Sequence, residues 1–185
     1  PSESPASKVR PDLVILATVA RAIACMRPLR IRYLSVSSGA KTRDIVPVAL
    51  ADSGLRWHVR AFDRLNDRFS DFVLRRIQSA EILDPLSSEH ERLAADEQWT
   101  RIVNLDLVPH PAAEWPEGIE VDFDMRDGCL KMRTRAALAG YLLQRWSVDC
   151  SESHSLNPKQ HQLWLRNPQT LYGVDSAKLA PGYGE

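Results

Sequence analysis

The sequence predicts an α+β protein made of two small modules, and three observations lead there. One helix-like stretch is followed by five short strand-like runs with turn residues between them. The second half carries strands and helices in the order βαββαβ. Charge is divided unevenly between the halves: residues 27–83 hold 11 Lys/Arg against 6 Asp/Glu, and residues 84–185 hold 10 against 16. The whole chain is neutral, so this asymmetry assigns any polyanion to the first module.

The elements follow in order. Residues 1–11, Pro-Ser-Glu-Ser-Pro-Ala-Ser-Lys-Val-Arg-Pro, have linker composition. The chain opens on Pro1 without an initiator methionine, and is expected to be the downstream part of a longer protein. Asp12 is placed to cap a helix within 12–27, in which Leu13, Leu16, Ala20, Ile23 and Met26 keep near-helical spacing and which Pro28 ends. Strands are expected at 30–36, 43–50, 56–62, 69–74 and 76–83, separated by turn-prone Ser37-Ser38-Gly39-Ala40, Asp52-Ser53-Gly54 and Leu65-Asn66-Asp67. Short strands on short loops predict a strongly bent sheet or small SH3/Sm-like barrel over 28–84. Polar residues 85–98 read as a connector or short helix.

From Trp99 a second pattern begins. Residues 101–108 alternate as a strand, 112–118 read as a short helix or turn, and Ile119-Glu120-Val121-Asp122-Phe123 alternates again. Asp127-Gly128 marks a tight turn, and Leu130–Thr134 returns. A helix over 135–147 presents Ala136, Ala137, Leu138, Tyr141, Leu142 and Trp146, and His161–Arg166 forms the last strand. That order is the one of a ferredoxin-like unit over 99–170, with 171–185 left as a tail.

Several function classes are disfavoured. The longest apolar run, Leu13–Met26, is interrupted by Arg21 and falls short of the roughly 18 residues of a membrane span. Cys25, Cys129 and Cys150 are scattered and read as reduced thiols of a cytosolic protein. No Gly-rich phosphate loop, His-Glu-x-x-His or Gly-x-Ser-x-Gly occurs, so neither catalysis nor a cofactor is expected. His154 and His161, near Glu152, are too loosely spaced for a metal site. His110 between two prolines reads as a turn element, and Glu120, Asp122 and Asp124 as a solvated strand face.

The chemistry gathers in the first module. Strand alternation sets Arg56, His58, Arg60 and Phe62 on one face, opposite Trp57, Val59 and Ala61. Arginine forks on a rigid sheet suit bidentate capture of an anion, whereas Trp57 is expected to be structural. Arg75 and Arg76 cannot share a face of a regular strand unless a bulge intervenes.

The blocks Ile31-Arg32-Tyr33-Leu34-Ser35, Arg43-Asp44-Ile45-Val46-Pro47, Trp57-His58-Val59 and Asp71-Phe72-Val73-Leu74-Arg75-Arg76-Ile77 together resemble a WYL domain. Pro109-His110-Pro111, Ile119–Met125 and Arg135-Ala136-Ala137-Leu138 resemble the C-terminal extension of WYL regulators, in the BrxR/CapW branch found with bacterial phage-defence operons. The resemblance implies a sensor for a nucleotide or short nucleic acid. Position by position it points to Tyr33, Ser35, His58, Arg60 and Arg76, and more weakly to Ser37, Arg43 and Arg75. It also implies a homodimer, and operator DNA bound by a winged helix-turn-helix that would lie upstream. A different class stays open: a stand-alone protein that binds single-stranded nucleic acid or serves as an adaptor.

Overall fold

The computed structural model describes residues 11–84 and 86–184. The expected linker therefore lies, except for Pro11, outside the described residues. The chain divides into two compact units, Pro1–Asp96 and Glu97–Glu185.

In the first unit, helix α1 (Leu13–Ala24) starts where the Asp12 carboxylate accepts from the backbone N–H groups of Val14 and Ile15. It ends at Cys25, before Pro28, with Met26 in the left-handed region. The strands are β1 (Leu29–Ser35), β2 (Gly39–Asp52), β3 (Trp57–Asp63), β4 (Arg68–Val73) and β5 (Ile77–Ile82). They form one antiparallel sheet in the order β4-β3-β2-β1-β5. Pro47 has no N–H to give to the ladder, and the β2–β3 register shifts between Pro47 and Ala49.

Among the described residues no ladder joins β4 to β5, so the expected closed barrel is not formed. A 3-10 turn, Leu74–Arg76, separates the two strands. The Tyr33 hydroxyl on β1 instead accepts from the Val73 N–H at the end of β4, 3.1 Å away. Ile15, Val19 and Ala22 of α1 pack on Leu29, Ile31, Tyr33, Ile45, Val59, Ala61, Phe72, Leu74 and Ile77. The segment after β5, expected as a connector or short helix, carries two further 3-10 turns, Glu89–Glu91 and Leu93–Ala95.

The second unit contains α2 (Glu97–Thr100), β6 (Ile102–Pro109), α3 (Pro116–Asp122), β7 (Leu130–Arg135), α4 (Ala136–Arg145) and β8 (Leu163–Leu165). The three strands pair antiparallel in the order β7-β6-β8. Residues 119–122, expected as a strand, belong to α3, so the order is βαβαβ and the ferredoxin-like βαββαβ is not met. Pro116 at the first helical turn starts a helix that the alternation of Ile119, Val121 and Phe123 conceals. Glu120 and Asp122 consequently do not share a face. Asp127 and Gly128, both at positive φ, form the expected tight turn between Arg126 and Cys129.

Residues 171–180 are core rather than tail. Leu171, Val174, Ala177 and Ala180 join Val103, Leu105, Leu107 and Leu143 in one cluster. Gly140 on α4 permits it, since a Cβ there would lie 1.7 Å from the Ser176 carbonyl oxygen.

Candidate anion-binding site

β3 is buried on both faces. Val59 and Ala61 point into the core under α1, while His58, Arg60 and Phe62 take the opposite face, as strand alternation predicts. Residues of the 87–96 segment engage that second face: Phe62 meets the His90 ring edge-on at 5.5 Å, and Arg60 meets Asp96. Nearby, Arg64 is held by Glu91 through a pair of bonds of 2.6 and 2.9 Å.

Arg60 is 5% exposed. Its Nε and Nη2 donate to the two Asp96 oxygens at 2.7 and 3.0 Å, its Nη1 donates to Asp71 at 3.2 Å, and its carbon centre lies 5.9 Å from the Phe69 ring. The fork is thus occupied on two sides by carboxylates of the same chain. Burial on its own would lower the Arg60 pKa, but the bonds and charges of Asp96 and Asp71 raise it, and the cation is secure. In this arrangement Arg60 is the centre of an internal ion triad with Asp96 and Asp71.

His58 is 6% exposed and faces Val73 across the β3–β4 ladder. Burial pushes its pKa down. The Asp71 carboxylate offsets part of this, and the Arg56 and Arg76 cations add to it. The imidazole is accordingly neutral near pH 7, and Arg76 is near enough to be felt.

Arg75 and Arg76 lie on the 3-10 turn, so strand alternation does not govern them; Arg75 is exposed and Arg76 half-buried. That turn packs against both β1 and β3. Tyr33 is a core residue, edge-on to Phe72 at 5.1 Å, with its hydroxyl engaged at Val73. The Ser35 and Ser37 hydroxyls bond each other at 3.1 Å at the end of β1. Arg43 pairs with Asp63 at 2.7 Å, while Asp44, its chain neighbour, is held by Arg30. Trp57, expected to be structural, is 40% exposed at the start of β3 and takes no part in the core. The expected set thus splits. His58, Arg60, Arg76 and Arg75 gather around the β3–β4 pair and the turn after it, Tyr33 joins them through Val73, and Arg43 stands apart.

Sequence reasoning missed Asp71 and Asp96. The first was within reach: a hairpin turning at residues 64–67 sets Asp71 opposite Arg60, as the register shows. Asp96 is 36 residues away with no signal of its own.

The second unit has its own buried polar centre. His110 and Asp149 are both fully buried, with His110 Nε2 3.1 Å from an Asp149 oxygen. His110 Nδ1 accepts from the Ala112 N–H, so Nε2 carries the proton and donates to Asp149. Asp149 also accepts from the Ser151 N–H and hydroxyl and from the Leu156 N–H. His110 is a turn anchor, as expected, and this centre is closed on itself. The Cys150 thiol beside it is pushed up to about 12 by burial, then by the Asp149 charge, and is inert as a nucleophile. Among the described residues no cluster of metal-ligating side chains occurs, and no helix is long and apolar enough to cross a membrane.

Residues 14–82 match the WYL domain family, and residues 102–171 match the family described as "BrxR transcriptional regulator, C-terminal dimerization domain". The chain is 31% identical over 169 residues to the DNA-binding transcriptional repressor CapW of Escherichia coli, covering 89% of this chain and 55% of that protein. It is 33% identical over 167 residues to the CapW repressor of Stenotrophomonas maltophilia, covering 85% and 52%. It thus spans about half the length of the curated relatives it matches. Among solved structures, proteasome accessory factor B/C (PafBC) of Arthrobacter aurescens aligns at 19% identity with a TM-score of 0.42, over 98% of this chain and 29% of that one. The chain belongs to the WYL-domain proteins that carry a BrxR-type C-terminal dimerization domain, and is homologous to the CapW repressors.

Proposed function

We propose that the chain is the effector-sensing and dimerisation part of a bacterial transcriptional regulator that works in the cytoplasm. The observation that carries this reading is the succession of a WYL domain and a BrxR-type dimerization domain in one chain, with likeness to CapW across both. The CapW relatives are DNA-binding repressors, not enzymes, and the proposal assigns this chain no catalytic step. Operator binding belongs to a further domain of the homodimer.

The effector is an anion, a nucleotide or short nucleic acid, received around Tyr33, Ser35, His58, Arg60 and Arg76, with Ser37, Arg43 and Arg75 at the margin. Neutral His58 offers a hydrogen bond to a base or sugar, and Arg76 offers charge to a phosphate. Asp71 and Asp96 already hold the Arg60 fork, as a phosphate would. An entering phosphate would compete with them, and Asp96 ends the segment that follows the sensor sheet. An effector that favours the exchanged arrangement shifts the protein toward it by the difference in its affinity for the two, and operator affinity follows by linkage.

Calorimetric titration of the chain with nucleotides and short oligonucleotides tests this. Arg76→Ala should weaken binding by roughly 1.5–3 kcal/mol, the worth of a charge-assisted hydrogen bond. Unchanged affinity removes the site. Direct binding of a single strand along the basic sheet would instead fall steeply with salt, with a slope set by the number of phosphates contacted.

A further inference from the structure

We propose that Arg56, together with Arg76, clamps the terminal phosphate of a nucleotide or of a strand end, where the β3–β4 hairpin opens. This rests on the effector-sensing reading above, adds a residue to that site and narrows its ligand to phosphate monoesters.

The register brings the two arginines to one place. His58 opposite Val73 is the final pairing of the β3–β4 ladder. Arg56 lies two residues before His58, and the Leu74–Arg76 turn follows Val73 directly, so both arginines leave the ladder at the same end. The turn packs against β3, and the charges of Arg56 and Arg76 both reach the buried His58 ring. The Ser53 hydroxyl donates to the Arg56 carbonyl at 3.0 Å and accepts from its N–H at 3.3 Å, which fixes the base of that side chain.

The pair stands apart in having no acceptor. Half-buried Arg27, Arg43 and Arg92 each donate to an oxygen, of Asp84, Asp63 and the Ser87 carbonyl respectively. Arg56 and Arg76 are half-buried too, yet among the described residues no acceptor is bonded to either guanidinium. Asp71, whose charge also reaches His58, is engaged by Arg60. A cation drawn partly out of water without a carboxylate carries an uncompensated desolvation cost, which a bound anion offsets.

Two such cations at one end of a hairpin select by charge. A phosphate monoester carries about −1.5 to −2 charges at pH 7 and presents free oxygens to planar forks, whereas each diester within a strand carries only about one. Arg60 must first release Asp96 or Asp71, so the phosphate is received at Arg56 and Arg76.

The test is calorimetric titration of the intact chain with adenosine, adenosine 5′-monophosphate, and a short single-stranded oligonucleotide with and without a 5′-phosphate. A phosphorylated probe should bind at least about tenfold tighter than its plain counterpart, the worth of a charge-assisted bond. A gain for the nucleotide alone makes the ligand a mononucleotide, and a gain for the oligonucleotide alone makes it a strand end. Arg56→Gln and Arg76→Gln should each remove most of the gain and leave the plain probes unaffected. Arg68→Gln, exposed at the opposite end of the same ladder, should preserve it, which separates a built clamp from general positive charge. Failure of every probe to bind overturns the effector reading and this inference with it. Equal binding of phosphorylated and plain probes, or a gain that survives Arg56→Gln, overturns only the clamp.

Discussion

The two units each bury a polar group, centred on the Arg60 cation in the first and on the Asp149 carboxylate in the second, and the two are built differently. Asp149 accepts from His110, from the Ser151 hydroxyl and from the N–H groups of Ser151 and Leu156. These are neutral donors, three of them within seven residues of it. Arg60 sits among charges: one cation, Asp71 on the neighbouring strand, and Asp96, 36 residues along. A carboxylate wrapped in short-range backbone donors can only hold its loop. A cation bridging two distant carboxylates can exchange one anion for another. Equal burial therefore marks a fastener in one unit and a candidate switch in the other.

Arg60→Ala breaks the comparison most severely. It leaves Asp71 and Asp96 facing each other without their cation, and losing one partner of a buried pair costs about 3–5 kcal/mol. Urea unfolding of the chain should show that loss in the transition of the first unit. A loss below about 1 kcal/mol would mean that water already screens the triad. Arg60→Lys should recover only part of it, because an ammonium group cannot meet the two Asp96 oxygens and Asp71 with a planar fork.

Asp149→Ala follows, at about 2–4 kcal/mol, since the donors of Ser151, Leu156 and His110 lose their acceptor in the interior. Its loss belongs to the second unit, and nucleotide binding by the first should be unchanged. Asp96→Asn separates the two centres in function. It weakens the triad by about 1–2 kcal/mol, yet on the proposed reading it removes the charge with which an entering phosphate would compete, so phosphate or nucleotide should bind more tightly. Weaker binding in Asp96→Asn would show that the carboxylate supports the ligand rather than competing with it.

How far these centres were legible in the sequence depends on the range of their contacts. The α+β class, the five strands of the first unit and the Asp12 cap follow from local alternation and capping chemistry, and all are present. The face shared by His58 and Arg60 was legible for the same reason. The environment of that face was not, because the partner that buries it, Asp96, is brought there by tertiary structure alone. The Ile119–Phe123 run shows the opposite failure. Its period-two alternation is genuine, but Pro116 and burial of Ile119 alone select a helix with Val121 exposed. Trp57, expected to be structural, is large enough for a core, but its position at a strand start leaves it 40% exposed.

The smallest effect, and the finest test of the comparison, is in pH. Burial first, with Arg56 and Arg76 adding to it against Asp71, holds the folded His58 pKa below its ordinary value of 6.5. As pH falls through 6.5 the unfolded chain takes up a proton that the folded chain refuses, so the first unit loses stability from that point downward. For Asp149, burial alone would raise the pKa, but the hydrogen bonds of Ser151, Leu156 and His110 outweigh it and hold it below its ordinary value of 3.8. Its stabilisation is complete above 3.8 and is lost only as pH falls below that value. Unfolding free energies measured across this range should show the His58 decline in the wild type and its absence in His58→Gln. A decline that survives the substitution would mean that His58 is not a neutral ring held beside a cation, and the hydrogen bond assigned to it in effector binding would have to come from another residue.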